Sequence, residues 1–285
     1  MLTVLAPAKI NLTLEVLDKR PDGFHEIRSI IQTINLCDHL RLHSGQSIEF
    51  KCDEPGWIPG ESLLPKAVDL LRADTGCSKG AVIEINKQIP LLSGLGGDSS
   101  GAAAILRGLN KLWGLGLSQE ELLKLASQLG SDVTFFLYGG TALVEGRGEV
   151  VTPLPSLPHM WVVLVMPPVP KLKGKTGRLY ASLKPGHYTR GNITERLVTL
   201  LNGGKEVPQS GLFNVFDVVA FDCFAGLEKY WQQFLKAGAE YVHLAGSGPA
   251  LLTLVKDEVQ AERIYNNLQG RGLKSCLTDT FGISR

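Results

Sequence analysis

The sequence predicts an α+β protein in two domains, and three observations carry that expectation. Strand-like and helix-like stretches mix without the regular alternation of a βαβ protein. At 285 residues the chain suits one large or two modest domains and can bury about 75% of its unfolded surface without staples. A stretch with three prolines, Thr152–His159, interrupts the chain near its middle and marks the best candidate boundary. The expected domains are residues 1–155 and 156–285.

Composition narrows the function classes. Apolar content of 44% and charged content of 20% are those of a globular protein. A net charge of +1 offers no general attraction to nucleic acid or an anionic membrane, so any basic site must be local. The five cysteines (Cys37, Cys52, Cys77, Cys223, Cys276) are scattered and never in C-x-x-C spacing, which points to reduced thiols and a cytoplasmic setting. The N-terminus lacks a basic region ahead of an apolar stretch, so it does not read as a signal peptide. The most apolar run, Met160 to Met166, is too short to span a bilayer.

Taken in order, Ile10 to Val16 alternates, with Ile10, Leu12, Leu14 and Val16 on one face and Asn11, Thr13 and Glu15 on the other. That pattern predicts a half-buried strand. Pro21-Asp22-Gly23 marks a turn. Strand-like segments at His25–Leu36, His39–His43 and Ile48–Cys52 suggest an antiparallel meander. Pro65 opens a helical stretch through Leu71, and GAVIEINKQI reads as a strand. A helix is expected from about Gly101 to Trp113, stopped by Gly114. Ser118 with Glu121 forms a capping box for the next helix, which ends at Gly130. The following SDVTFFLYGGTALVEGRGEVV reads as a turn and then strands. Trp161–Met166 is an apolar strand, and the proline-rich PPVPKLKGKTG a basic loop. Helices are expected beyond it, including Asn214–Lys236. Tyr241–Leu244, a glycine turn (AGSGPA), LLTLV, a helix over Asp257–Leu268 and a last strand over Lys274–Phe281 complete the chain.

The most informative stretch is Pro90 to Ala104, PLLSGLGGDSSGAAA. Gly94, Gly96, Gly97 and Gly101 fall between a strand and a helix start. Glycine lets the backbone take positive φ and lets a ligand approach closely. The free N–H groups and the dipole of the helix start favour an anion. By itself, such a loop is more often just a tight turn. It is neither G-x-x-x-x-G-K-[ST], because no lysine follows, nor G-x-G-x-x-G, because Ser99 stands where the last glycine belongs.

Other single residues read two ways. Lys9, at a strand start, reads by itself first as a solvated edge lysine, the usual fate of that residue, and only second as a functional cation. Asp132, after the Gly130 stop and before Val133, Phe135 and Phe136, reads by itself as a cap or turn residue. Lys171, Lys173, Lys175 and Arg178 form a basic cluster, which usually means a solvated face. Gly174-Lys175-Thr176 mimics a P-loop ending, but Val169 stands where the first glycine is needed. His39 and His43 lack a third ligand for zinc.

The glycine loop resembles the ATP-binding motif of the GHMP kinase superfamily, P-x-x-x-G-L-G-S-S-A-A. Here that pattern runs through Pro90, Gly94-Leu95-Gly96, Ser99-Ser100 and Ala102-Ala103, with a small insertion. LAGSGPALL is similar to the third superfamily motif. Pro7-Ala8-Lys9-Ile10-Asn11-Leu12 and Arg20, Asp22-Gly23-Phe24-His25 resemble the paired N-terminal signature of one member, the 4-diphosphocytidyl-2-C-methyl-D-erythritol kinase family. LGSDVTFFLYGGTALVEGRGE is similar to that family's G-A-D-V-P-F-F segment and the stretch after it.

The resemblance implies a two-domain GHMP-kinase-like fold with mixed and antiparallel sheets and an active-site cleft between the domains. It implies an ATP-dependent kinase acting on the 2-hydroxyl of 4-diphosphocytidyl-2-C-methyl-D-erythritol, with Mg²⁺ bridging the nucleotide phosphates and no metal ligand assigned. ATP would be bound by Pro90, Leu91, Leu92, Ser93, Gly94, Leu95, Gly96, Gly97, Asp98, Ser99 and Ser100. Asp132 would accept the hydroxyl proton, and Lys9 would orient that carboxylate and keep it ionised. Asn11, Phe24, His25, Thr176 and Tyr180 would contact substrate, His25 by hydrogen bonds to cytosine and the two aromatic residues by stacking. Gly246, Ser247 and Gly248 form the third glycine motif. The chain departs from the family at Asp98, where glycine is usual, and at Glu61-Ser62-Leu63, where Asp-Asn-Leu is common. Two other readings are a kinase of the mevalonate or homoserine type and a non-catalytic RNA-binding module. The R-x-D-G-F-H segment opposes the first, and the near-neutral charge with both Lys9 and Asp132 opposes the second. The expected partners are therefore small molecules, with neither nucleic acid nor membrane.

Overall fold

The computed structural model describes residues 1–170, 172 and 174–281; Lys171 and Lys173 of the basic cluster lie outside them. In chain order the elements are β1 (Leu2–Lys19), β2 (His25–Gly45), β3 (Ile48–Cys52), α1 (Leu63–Thr75), β4 (Gly80–Asn86), α2 (Gly97–Trp113), α3 (Gln119–Leu129), α4 (Ser131–Tyr138), β5 (Thr141–Gly146) and β6 (Val150–Pro153). Then come β7 (Trp161–Val165), α5 (Lys175–Ser182), α6 (Asn192–Asn202), β8 (Phe213–Asn214), α7 (Ala220–Cys223), α8 (Leu227–Lys236), β9 (His243–Leu244), β10 (Leu251–Val255), α9 (Glu258–Gly270) and β11 (Ser275–Asp279). The fold is α+β with mixed and antiparallel pairing, as the sequence predicts.

The residues group into two compact units that exchange chain segments. The first holds Met1–Ala8, Leu36–Leu91 and Gly96–Gly139; the second holds Lys9–Asn35, Leu92–Leu95 and the described residues from Gly140 on. The proline-rich stretch at 152–159 falls inside the second unit.

In the first unit, His39–Gly45 of β2 pairs antiparallel with β4, and β3 pairs parallel with β4 on its far side. The simple meander expected here is therefore wrong at β3, because β4 inserts between the two. Helix α1 is capped by Ser62, whose side chain accepts from the Leu64 N–H, and it stops at Gly76. Helix α2 is buried nearly all round, which explains its run of alanines and glycines. A Cβ at Gly101 would come within 2.7 Å of Leu64 Cδ1, and one at Gly108 within 2.3 Å of Leu42 Cδ1, so both glycines permit close packing. The capping box of α3 is present, with Ser118 and Glu121 bonded reciprocally.

Two further expectations fail in this unit. Helix α2 begins at Gly97, not near Gly101, so Asp98, Ser99 and Ser100 lie in its first turn. Glycine and serine are weak helix formers, and packing overrides that preference. The segment read as a turn is helix α4, whose aromatic residues Phe135 and Phe136 are fully buried. Strand propensity of the Phe residues is overridden by that burial.

In the second unit, Ile27–Gln32 of β2 pairs antiparallel with β5, and β5 pairs with β6. Strand β1 pairs parallel with β8 at Thr13 and Leu14. A separate antiparallel sheet runs β11-β7-β10-β9. Its core contains Val163, Val165, Leu251, Val255 and Leu244, with Ile264 and Leu268 of α9 packed in the same cluster.

Three more corrections belong here. Strand β2 is one continuous strand where two segments were expected. The expected helix over Asn214–Lys236 is broken: Asn214 ends β8, a 3₁₀ turn covers Val215–Val219, and Gly226 separates α7 from α8. Strand β1 is buried on both faces rather than one, with Asn11, Thr13 and Glu15 at most 5% exposed. A buried polar row must be hydrogen-bonded, and each member is. Thr13 Oγ1 accepts from Ile30 N (3.1 Å) and Thr194 Oγ1 (2.9 Å), and Glu15 accepts from Thr194 N (2.7 Å) at the start of α6.

Candidate active site

In the second unit, Lys9, Asn11, the loop residues 92–95 and the Gly246–Gly248 turn come together. Strand β1 carries Lys9 and Asn11 two residues apart, hence on one face. Lys9 Nζ donates to Asn11 Oδ1 (2.9 Å), Asn11 Nδ2 donates to Ser29 Oγ (2.8 Å), and Ser29 Oγ donates to Thr13 O (2.5 Å). This chain fixes a buried ammonium in one direction. The Lys9 N–H also donates to Leu95 O (2.9 Å), tying the strand to the glycine loop.

The loop rests directly on the third glycine motif. Ala250 N donates to Ser93 O (3.2 Å). Gly94 has φ +93°, and a Cβ there would lie 2.0 Å from Ala245 O and 2.8 Å from Gly248 N. Only glycine allows that approach. Gly246 has φ +57°, and a Cβ there would meet Gly94 O and Lys9 Nζ, each at 3.0 Å. Asn214, at the end of β8, holds the turn by donating to Leu244 O (3.0 Å) and Gly246 O (2.8 Å). Leu92 is half-exposed at φ +59°, a strained conformation for a non-glycine residue.

Of the basic cluster, the two described members differ in burial. Arg178 and Thr176 are exposed, but Lys175, the first residue of α5, is buried. Its Nζ donates to Ser247 O (3.1 Å), to Ser247 Oγ (2.7 Å) and to Gly248 O. Thr176 Oγ1 donates to Ser247 Oγ (3.0 Å), so Thr176 does join the turn. Burial first, and the nearby Lys9 second, push the Lys175 ammonium down to about 7.

A second cluster in this unit gathers aromatic residues. The His25 ring stacks on Tyr180 (centroids 4.8 Å apart, 16° between planes) and meets Tyr188 edge-on at 6.0 Å. Tyr180 in turn meets Phe216 edge-on at 4.9 Å. Burial, and then Lys19, lower the His25 pKa, so the ring is neutral at neutral pH. Phe24 is 55% exposed, and its ring lies under the guanidinium of Arg147 at 5.0 Å.

In the first unit, the start of α2 carries the rest of the loop. Gly96 is its N-cap in the left-handed region, and Gly97, Asp98, Ser99 and Ser100 follow. The Asp98 carboxylate accepts from Ser62 Oγ (2.5 Å) and Leu63 N (2.8 Å), so it points to the start of α1. The two departures from the family pattern are thus in contact with each other. Ser100 Oγ is fully buried with no hydrogen-bond partner among the described residues. Upstream, the buried Asp38 accepts from Gln88 N and Ile89 N (both 2.8 Å) and pairs with Lys87, which anchors the chain entering Pro90 and Leu91. Asp132 occupies the first turn of α4, not a helix-to-strand turn, with Gly130 as N-cap. A carboxylate there is favoured by the helix dipole.

Sequence reasoning missed Lys175, Ser29, Asn214, Arg147 and Asp38. Lys175 alone left a signal, because it immediately precedes Thr176. The others are ordinary polar residues whose partners lie far away in sequence.

Comparisons with known proteins show the family of the chain and its fold. Residues 62–140 match the family described as GHMP kinases N terminal domain, and residues 200–273 match GHMP kinases C terminal. A 4-diphosphocytidyl-2-C-methyl-D-erythritol kinase of Dehalococcoides mccartyi is 50% identical over 282 residues, which is 99% of each chain. One from Geobacillus thermodenitrificans is 39% identical over 273 residues, 94% of this chain and 93% of that one. A crystal structure of 4-(cytidine 5'-diphospho)-2C-methyl-D-erythritol kinase superposes with a TM-score of 0.82 at 31% identity, covering 99% of this chain and 100% of that one.

Proposed function

Because the chain belongs to the 4-diphosphocytidyl-2-C-methyl-D-erythritol kinase family of the GHMP kinases, we propose that it transfers the γ-phosphoryl group of ATP to the 2-hydroxyl of 4-diphosphocytidyl-2-C-methyl-D-erythritol. It is an ATP-dependent small-molecule kinase in the route to isoprenoid precursors. The observation that carries the site reading is the assembly in which Lys9, Asn11, Gly94 and Gly246 meet. That assembly joins three of the resembling motifs in one place.

Phosphoryl transfer asks mainly for alignment and charge stabilisation. The loop from Pro90 to Ser100 cradles the ATP phosphates, and two features favour them there. The first turn of α2 offers unpaired N–H groups, and the buried Ser100 hydroxyl lacks a partner among the described residues. Magnesium arriving with the nucleotide would offset the charge of the phosphates held by the loop from Pro90 to Ser100. The substrate hydroxyl attacks the γ-phosphorus, its proton passes to the Asp132 carboxylate, and the bond to ADP breaks. Lys9, held by Asn11 and Ser29, orients that carboxylate. His25 reads the cytosine edge, Phe24 and Tyr180 supply stacking faces, and Asn11 and Thr176 approach the substrate. Residues 1–155 act as the nucleotide part, and 156–285 complete the substrate site. The reading includes a cytoplasmic location and small-molecule partners only; among the described residues no helix is long and apolar enough to cross a membrane.

An assay of ADP formation tests this directly. Turnover is expected with the cytidine substrate and not with mevalonate or homoserine. Turnover of either rival, or of none of the three, would overturn the assignment.

A further inference from the structure

Strand β9 is the last strand of its sheet and leads directly into the third glycine motif. An edge strand leaves backbone N–H and C=O groups without a strand partner, and buried ones must be bonded elsewhere. At the buried Leu244, two side chains from one short segment take both groups. The Asp217 carboxylate accepts from Leu244 N (2.9 Å) and bonds the His243 ring (2.8 Å). The Asn214 amide donates to Leu244 O (3.0 Å) and reaches past the strand to Gly246 O (2.8 Å), while its oxygen accepts from Phe216 N (3.0 Å). Asn214 is buried, and both amide hydrogens and the oxygen are used. The two side chains differ in what they hold. Asp217 grips β9. Asn214 also grips the turn, and its backbone pairs beside Leu14 on β1, the strand that carries Lys9 and Asn11. It therefore links β1 to the turn. That spacing has little slack: a Cβ at Gly246 would lie 3.0 Å from Lys9 Nζ, 3.2 Å from Asn11 Oδ1 and 3.0 Å from Gly94 O. The far half of the turn is held separately, by Lys175 on Ser247 and Gly248.

We propose that Asn214 is a positioning residue for phosphoryl transfer, a role that rests on the kinase reading above: through Gly246 it fixes the turn against which the Lys9 ammonium and the glycine loop at Gly94 are seated. Transfer depends on alignment, and a misplacement of about 1 Å can cost about a hundredfold. Asn214→Asp keeps the shape and the acceptor for Phe216 N, but it turns an oxygen toward two carbonyl oxygens, so the Gly246 half of the turn must withdraw. Asn214→Ala removes all three bonds without adding a repulsion. Asp217→Asn is the structural control, because it keeps an oxygen for Leu244 N and leaves Gly246 held by Asn214.

Steady-state turnover with ATP and the cytidine substrate, measured well below the Tm of each variant so that all of the protein is folded, separates positioning from stability. Asn214→Asp should lose about tenfold to a hundredfold in kcat, and Asn214→Ala at least about fivefold. In Asn214→Asp the backbone of Phe216, the neighbour of Tyr180, stays bonded. The Kd of the cytidine substrate, titrated without nucleotide, should therefore stay within about twofold of wild type in that variant. Asp217→Asn should lower Tm yet keep kcat within about twofold. A merely structural role would lower Tm in all three variants and leave the kcat of folded protein alone. Normal kcat in folded Asn214→Asp overturns the proposal, and Asn214→Ala, which opens only a small cavity, decides the matter if Asn214→Asp does not fold. A loss of kcat in Asp217→Asn as large as in Asn214→Asp overturns it too, as does cytidine binding that weakens in step with kcat in Asn214→Asp. Failure of the kinase reading looks different: the wild-type protein itself would not turn over the cytidine substrate.

Discussion

Replacing Asp98 tests what the unusual residue in the glycine loop does. Its carboxylate accepts from Ser62 Oγ and from Leu63 N, the first donor of α1. Ser62 is 4% exposed, so its hydroxyl cannot turn to water when the partner is removed. A buried polar group left unpaired costs about 1–3 kcal/mol. With two donors affected, one of them near solvent, Asp98→Ala should destabilise by about 2–4 kcal/mol. For a protein of this size that lowers Tm by about 5–10 °C. Asp98→Asn keeps one acceptor oxygen and should lose roughly half as much. The alternative is that the carboxylate faces the nucleotide. A charge about 5 Å from a phosphate charge is repelled by about 3 kcal/mol at an effective dielectric near 20, so its removal would tighten ATP more than about a hundredfold. Thermal unfolding and the KM for ATP, measured on the same variants, separate the two. A Tm within 1 °C of wild type, or ATP binding at least about tenfold tighter, would refute the argument from the Ser62 contact.

Three further outcomes are expected. Gly94→Ala puts a methyl group 2.0 Å from Ala245 O and forces an L residue to φ +93°, so the loop must leave the turn; kcat/KM for ATP should fall at least about tenfold, and normal kinetics would contradict the close packing. If the neutral His25 reads cytosine, the uridine analogue leaves buried donors and acceptors mismatched and should lose at least about tenfold in kcat/KM, constant between pH 7 and 8; equal turnover of both substrates would sink that role. Asp132→Asn should lower kcat by about 10²–10⁴-fold with both substrates still bound, and adding Lys9→Ala should make it no worse than the poorer single change; near-normal turnover of folded Asp132→Asn would remove Asp132 from the mechanism.

How far the sequence carries the reading depends on the kind of signal. The glycine loop, the third glycine motif and the capping box are local patterns, and each lies where its spacing indicates. Boundaries set by tertiary packing were not legible. Gly97 to Ser100 are poor helix formers, and what holds them in α2 is tertiary: Asp98 accepts from Ser62 and Leu63 at the start of α1, and Gly101 packs closely on Leu64. Phe135 and Phe136 favour strands in isolation, yet α4 buries both completely. The alternation in β1 was visible, but its polar face is buried by partners from β2 and α6, well over ten residues away in sequence. Lys175 shows the same limit: its run of basic neighbours suggested solvent, while its burial depends on a turn 72 residues away.

That buried polar face of β1 explains why Lys9 can serve as a fixed cation. Lysine has a long, flexible side chain that loses much rotamer freedom when held. An exposed lysine at a strand edge would sample many directions and orient nothing. Here the face is continuous from Glu15 through Thr13 and Asn11 to Lys9, and each inner member is bonded to a neighbouring element. Glu15 receives the start of α6, Thr13 receives β2 and α6, and Asn11 is bonded to Ser29 on β2. Rigidity therefore passes outward along the strand, and the bond from Lys9 Nζ to Asn11 Oδ1 carries it to the lysine side chain. The backbone of the same residue is tied to Leu95 in the glycine loop. A single short stretch thus sets both the direction of the ammonium and the position of the loop, which is why the two N-terminal residues Lys9 and Asn11 are more informative together than either is alone.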